Sequence, residues 1–388
     1  METLASKPAN PLPVSGKSVP ENSAPRKKVL LVSNRVMHYR VSVYNYFWRR
    51  FRENGWDFSV FADQLQRQNQ NPLAFDFKEM PFRFGDYKRE IHKLQPDAVI
   101  VFLHLKDKIL WPLVHWLKLK KIPVIFWTKT RNLDDADNFL KNFLFDYIMR
   151  LSDGLILYTE PLLANVPKNS RHKSFAANNT VNSEDFPEIL ESKENIKREL
   201  GLPFKKIVLF SGRIAEDGNR KKVDHLIEIF RDLPRDDVGL VIVGSGMPEN
   251  FKQRLNPKNT RYLGEVHDPE NRAISRIFKM ADICSIPGHV GLGLNQAFHW
   301  GLPMVTEEGL QPPEIFYLQN DRNGFIVPED DVAALKEKLL FLADNEAVLQ
   351  QFSQNARADI REHGSIEGMF QGFQKCVNYA TKTKTGKI

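Results

Sequence analysis

Two nine-residue segments of the same design, KKVLLVSNR at residues 27–35 and KKIVLFSGR at residues 205–213, open the two halves of this chain. Each is a leucine- and β-branched-rich run, bounded by lysines and ending in a small-residue turn, as in the first buried parallel strand of an α/β unit. A chain that repeats such an opening folds as two Rossmann-like domains, and 388 residues are enough for two cores. Further apolar runs follow at 58–62, 98–103, 124–127 and 154–158, then at 240–244, 283–286, 303–306 and 325–327. Stretches of helical length separate them, so parallel sheets with crossover helices are predicted, with any ligand beyond the C-terminal ends of the strands. The boundary falls in the polar segment 178–204. The chain then divides into a tail (1–26), a first domain (27–180), a second domain (181–365), and a C-terminal helix with its tail (366–388) that packs back across the domains.

Residues 1–26 hold five prolines and lack the apolar core of a signal peptide, which predicts a disordered tail. Cys284 and Cys376 are far apart and lack zinc-site spacing, so both read as free thiols in a reducing cytoplasm. No apolar run reaches the roughly 18–20 residues that span a bilayer. The net charge of +7 is unevenly placed. Residues 1–180 carry 28 Lys and Arg against 17 Asp and Glu, and residues 181–388 carry 27 against 31. Part of the basic excess lies in 107–121, DKILWPLVHWLKLKK, where Trp111, Trp116, Leu110, Leu113 and Leu117 accompany Lys108, Lys118, Lys120 and Lys121. That mixture suits an anionic membrane surface, and a half-buried helix with a solvated lysine face explains it equally well. No nucleic-acid recognition signature appears.

The second domain carries the denser chemistry. Gly212 and Arg213 end its first strand, and Lys221 and Lys222 open the next helix. Two cations at a helix start are disfavoured unless an anion compensates them, and a diphosphate does so. In the segment 287–305, PGHVGLGLNQAFHWGLPMV, Gly288, Gly291 and Gly293 let backbone N–H groups approach phosphate oxygens, with His289, Val290 and Leu292 between them. Asn295 and Gln296 follow as amides able to bond sugar or ribose hydroxyls.

The order of these motifs resembles the family-4 retaining glycosyltransferases of the two-domain GT-B fold. The likeness spans residues 28–375 and is clearest in SGR, KKVDHLI, LVIVGSG, RYLGEV, ADICSIPG, GLGLNQAF, GLPMV and PEIFYLQNDRNGFIV; the N-terminal YRVSVYNYF is similar to one subgroup. The resemblance implies a metal-independent transferase with no cofactor, whose substrate is a nucleotide-diphosphate sugar and whose acceptor is a glycan or lipid-linked molecule. It implies polysaccharide or glycolipid assembly at the cytoplasmic membrane face. Arg213 and Lys221 would bind the donor diphosphate, with Lys222 the close alternative. The Val290, Gly291 and Leu292 backbone would contact phosphate or sugar, Gly264 and Val266 would lie near the base, and Glu314 is the matching later acid.

The sequence departs from the family in places. Gly288 and Gln296 stand where many members have glutamates, and Lys129, in IPVIFWTKTRN, stands where many have a histidine. Lysine serves there as a point charge on a departing phosphate rather than as a base. Arg131 and Asn132 are weaker candidates beside it. Arg35, His38, Tyr39 and Arg40 follow the first strand and are expected on the acceptor side. Asp135 and Asp137 have the spacing of a metal-binding pair, but with Asp134 they precede an apolar-periodic helix and read as its caps. Two other readings remain: a catalytically weak nucleotide-sugar-binding protein, and a nucleotide-sugar epimerase.

Overall fold

The computed structural model describes residues 25–66, 72–130, 138–214, 220–268 and 270–384. The first sheet contains β1 (Lys27–Val36), β2 (Trp56–Leu65), β3 (Asp76–Glu79), β4 (Ala98–Phe102), β5 (Val124–Thr128), β6 (Gly154–Leu157) and β7 (Ser174–Ala176). Helices α1 (His38–Glu53), α2 (Phe84–Leu94), α3 (Leu110–Leu119) and α4 (Phe139–Leu151) connect them. After α5 (Lys193–Glu199), the second sheet contains β8 (Lys206–Ser211), β9 (Val238–Val243), β10 (Thr260–Gly264), β11 (Ile283–Ser285), β12 (Met304–Glu307) and β13 (Gly324–Val327). Its helices are α6 (Val223–Arg231), α7 (Glu249–Lys252), α8 (Arg272–Met280) and α9 (Gly293–His299), followed by α10 (Val332–Asp344), α11 (Glu346–His363) and α12 (Ile366–Lys384).

Every strand pairing is parallel, and the orders are β3-β2-β1-β4-β5-β6-β7 and β10-β9-β8-β11-β12-β13. Each domain's opening strand therefore lies inside its sheet, between a strand laid to one side and a strand laid to the other. At such a switch point the loops leave in opposite directions and open a crevice. In the second sheet the switch falls between β8 and β11, so the turns bearing Arg213 and Gly288 meet there. This is the GT-B arrangement of two Rossmann-like units.

Both cores are what the apolar runs require: the strand interiors are buried and helices cover them, with separate clusters in the two domains. α12 is the exception to sequence order, since Met369, Phe370, Phe373, Cys376, Val377 and Ala380 join the first core although they follow the second domain. Their spacing of three and four places them on one helical face. Phe373 packs 4.7 Å from the Phe47 ring and 4.9 Å from that of Trp127, and Glu367 anchors the helix through Arg50 and Tyr46. The fit is close enough that a Cβ on Gly154 would lie 2.6 Å from the Cys376 sulfur. Both thiols are buried and free.

Residues 1–24 of the expected tail lie outside the described residues, as do Arg131, Asn132, Asp134, Asp135 and Asp137. The cap of α4 is Asn138, whose side chain accepts from Lys141 N at 3.0 Å, in place of the aspartates. No helix among the described residues is long and apolar enough to cross a membrane.

Phe373 is 1% exposed, so Phe373→Ala should destabilise by about 3–5 kcal/mol, the usual loss for truncating a fully buried phenylalanine. Urea unfolding followed by circular dichroism measures this; a loss below about 1 kcal/mol would mean that α12 does not complete the first core.

Candidate functional site

The two adjacent lysines after β8 have opposite fates. Lys222 adopts a left-handed backbone conformation, φ 48°, just before α6. Its ammonium pairs with Glu307 at 3.1 Å, Glu329 at 3.1 Å and Asp330 at 2.7 Å, and this holds its pKa above the usual lysine range against the cost of partial burial. His225 Nδ1 donates to the same Glu307 carboxylate at 2.6 Å. Lys222 is thus neutralised within its own domain and is not the free alternative to Lys221 that the sequence allowed.

Lys221 turns the other way. Its ammonium donates to the carbonyls of His289 at 3.0 Å and Val290 at 3.4 Å and makes no ion pair among the described residues. Burial removes solvation that would favour the charged form, and its pKa falls to about 8. Nearby Cys284 is pushed up to about 12 by burial and stays a neutral thiol. An ammonium held by neutral carbonyls alone, in a desolvated turn, is electrostatically uncompensated. Arg213, exposed at the end of β8, likewise makes no ion pair among the described residues.

The glycine turn is fastened to these lysines through the main chain. Gly288 N donates to Lys221 O at 3.1 Å, and His289 N to Arg220 O at 2.7 Å. A Cβ on Gly288 would lie 2.1 Å from Arg220 O, so the backbone leaves no room for a glutamate at this position. Gly212 similarly leaves space for the Lys221 stem, since a Cβ there would fall 2.7 Å from Lys221 Cε. Gly291 has φ 55°, which suits glycine. Burial first, then Lys221, Arg220 and Lys129, lower the His289 pKa to about 4, so His289 is neutral near pH 7.

Gln311, which sequence reasoning passed over, locks this turn. It accepts from Val290 N at 3.2 Å and donates to Gly288 O and Glu307 O, each at 2.9 Å. The Val290 N–H is therefore engaged within the protein, which leaves Gly291 and Leu292 as the more open part of the predicted backbone contact. Asn295 is wholly buried and donates to Thr180 Oγ1 at 3.2 Å, so it holds the interdomain connection instead of facing a ligand. Gln296, half-buried one residue on, makes no side-chain hydrogen bond among the described residues. Glu314 is buried and accepts from Asn179 of the same connection. Gly264, at φ 74°, ends β10, and Val266 lies on the turn that follows.

Across the crevice stand the residues that follow β1 and β5. His38 is half-buried, and its pKa is lowered by burial first, with Arg213 and His267 of the second domain adding to the effect. The turn of β1 thus faces the turns of β8 and β10. Lys129 lies 4.9 Å from the Tyr158 ring and is electrostatically felt by both His104 and His289, which brings it to the glycine turn. Arg40 is 4% exposed and packs 5.1 Å from the Trp127 ring, while Tyr39 and Arg35 are exposed. The arrangement can hold an anion between Arg213 and Lys221, with further positive charge opposite.

Residues 205–345 match the family model described as "Glycosyl transferases group 1". A stretch of 155 residues is 30% identical to phosphatidyl-myo-inositol mannosyltransferase of Mycobacterium leprae, covering 38% of this chain and 40% of that protein. A stretch of 267 residues is 22% identical to poly(ribitol-phosphate) alpha-N-acetylglucosaminyltransferase of Staphylococcus aureus, covering 67% and 51%. The chain thus matches about half the length of these curated relatives. The Anabaena protein HepE, solved in complex with UDP, superposes with a TM-score of 0.72 at 11% identity, covering 91% of this chain and 99% of that one, and supports the fold.

The Lys221 pKa of about 8 sets a pH dependence. An anion beside the ammonium favours its charged form, so binding draws in a proton once the free protein has lost it. Relative to Lys221→Arg, which cancels the titration of pyrophosphate itself, pyrophosphate affinity should be unchanged below about pH 8 and fall above it by at most roughly tenfold per pH unit. Calorimetric titration of both proteins at pH 7 and pH 9 reads this; the same affinity ratio at both pH values would refute Lys221 as the binding cation.

Proposed function

With residues 205–345 belonging to the glycosyl transferases group 1, we propose that the chain transfers a sugar from a nucleotide-diphosphate sugar to a glycan or lipid-linked acceptor, with retained configuration. The observation that carries this reading is Lys221, uncompensated by any carboxylate among the described residues and set beside Arg213 and the Gly288–Leu292 turn at the switch point of the second sheet. As the bond from the anomeric carbon to the diphosphate breaks, negative charge collects on the leaving phosphates, and fixed cations at that place lower the barrier. Lys129 faces the same turn from the first domain. The nucleotide base lies towards Gly264 and Val266. No metal ion enters the proposed reaction: the cluster of His225, Glu307 and Asp330 has metal-ligand chemistry, but the Lys222 ammonium already bridges its carboxylates.

A nucleotide-sugar-binding protein of weak activity is the second reading. It draws on Gly288, where no carboxylate fits, and on Gln296 in place of an acid. Binding is common to both readings, and turnover separates them.

For the acceptor side, the structure adds an apolar surface to the basic segment 107–121. α4 presents Phe139 (83% exposed), Leu140, Phe143 and Tyr147 on one face, and Tyr147 is joined to α3 by a hydrogen bond with His115 at 2.9 Å. Because α4 follows β5, its N-terminal end begins on the crevice side of the sheet. Exposed Leu119, Lys120 and Lys121 end α3. An exposed apolar face in the basic half of the chain suits an anionic membrane at the cytoplasmic side, from which a lipid-linked acceptor reaches the crevice.

One of UDP, GDP, ADP, dTDP and CMP should raise the melting temperature without magnesium, and Arg213→Ala and Lys221→Ala should each abolish the shift. Transfer or donor hydrolysis in the presence of cell extract then marks an enzyme; absence of stabilisation by every nucleotide defeats both readings. Anionic vesicles should sediment with the protein at low salt and release it at high salt, with Phe139→Ser weakening the binding several-fold. Indifference to lipid charge and to Phe139 would exclude the membrane.

A further inference from the structure

Arg40, at the start of α1, is a buried cation that the donor reading does not use. Its guanidinium lies 5.1 Å from the ring of Trp127 and 5.5 Å from that of Tyr39, and its Nη1 is buried without a hydrogen-bond partner among the described residues. Among those residues Trp127 Nε1 and, one helical turn along α1, the hydroxyl of Tyr44 are also buried without partners, as is Nδ1 of His38. Arginine and indole can only donate, so Arg40 Nη1 and Trp127 Nε1 are donors that meet no acceptor among the described residues, while the Tyr44 hydroxyl and the His38 ring can donate or accept. Buried polar groups are otherwise almost always satisfied, because leaving one unpaired forfeits its hydration without return. Nearby Lys129, over the Tyr158 ring, adds a second cation without a carboxylate partner among the described residues. The acid across the crevice, Glu314, accepts from Asn179 and makes no ion pair with Arg40 among the described residues.

The charge count points the same way. Each phosphate of a nucleotide-diphosphate sugar carries one negative charge, and Arg213 and Lys221 match the two. Arg40 and Lys129, on the opposite wall, add two positive charges that this diphosphate does not meet and that Glu314, acting on Arg40 without an ion pair, offsets only in part. We propose that Arg40 and Lys129, with the Trp127 and Tyr44 donors, form a second oxyanion site that recognises a phosphate group on the acceptor. The inference rests on the donor site proposed above. It makes the acceptor an anionic molecule, bound with its phosphate against the first domain and a hydroxyl towards the donor sugar. Tyr39, 40% exposed and lying over the guanidinium, is the member of the cluster that meets solvent.

The test is melting of the protein saturated with whichever nucleoside diphosphate stabilises it, titrated with inorganic phosphate against chloride at equal ionic strength. Phosphate should raise the melting temperature further, and Lys129→Ala and Arg40→Gln should weaken that second effect at least fivefold while keeping the nucleotide effect. Lys129 is exposed, so its variant keeps the test decisive if the buried Arg40→Gln does not fold. Glucose 6-phosphate and phosphatidylglycerol vesicles, run in parallel, distinguish a soluble phosphate ester from a lipid headgroup by which of them shows the Lys129-dependent effect. No phosphate effect on the nucleotide-bound protein, or an equal effect in both variants, overturns the second site. Failure of every nucleotide to bind would instead remove the donor reading on which it rests.

Discussion

The main-chain hydrogen bonds between the β8 turn and the β11 turn are the constraint on which the site depends. Gly288 N and His289 N are given to the carbonyls of Lys221 and Arg220, and the Lys221 ammonium returns to the carbonyl of His289. This closed exchange fixes where the ammonium sits and keeps it away from the acids that neutralise Lys222. It also explains two glycines in physical terms: a side chain on Gly288 would strike Arg220 O, and one on Gly212 would displace the Lys221 stem. The position of an uncompensated charge is therefore decided by backbone packing rather than by a partner side chain.

The fold was readable because its central strands are buried on both faces and so appear as continuous apolar runs. β1, β2, β4, β5 and β6 of the first sheet, and β8, β9, β11, β12 and β13 of the second, all coincide with runs visible in the sequence. β3 and β7 do not. DFKE in β3 is polar and largely exposed, and SFA in β7 is only three residues long, so neither edge strand leaves an apolar signature. The cap of α4 illustrates a different limit. Several polar residues in succession can cap a helix, and Asn138 is distinguished from the aspartates before it only by where the first turn begins.

The candidate site was legible in kind but not in its partnerships. Charge and glycine spacing singled out Arg213, Lys221 and the 288–293 turn, yet Lys221 and Lys222 are the same residue type at adjacent positions. Only the side chains of Glu307, Glu329 and Asp330, more than 80 residues away in sequence, separate their roles. Asn295 looked like a ligand amide and holds Thr180 instead. Gln311 had no local pattern at all, because its function is to satisfy a turn that the chain brings near it from another strand.

The placement of α12 has a consequence for how the molecule comes into being. A chain made from its N-terminus presents β1 to β7 first, but the layer that covers Phe47, Phe51 and Trp127 is supplied by Phe370 and Phe373. The first domain must wait, with part of its aromatic core bare, while some two hundred further residues are synthesised and the second domain folds on its own. Contacts spanning such a separation close late and slowly, and exposed apolar surface in the interval invites association with other chains. The first domain to be synthesised is thus the last to be finished, and its open sheet, rather than the charged crevice, is the surface a chaperone would meet.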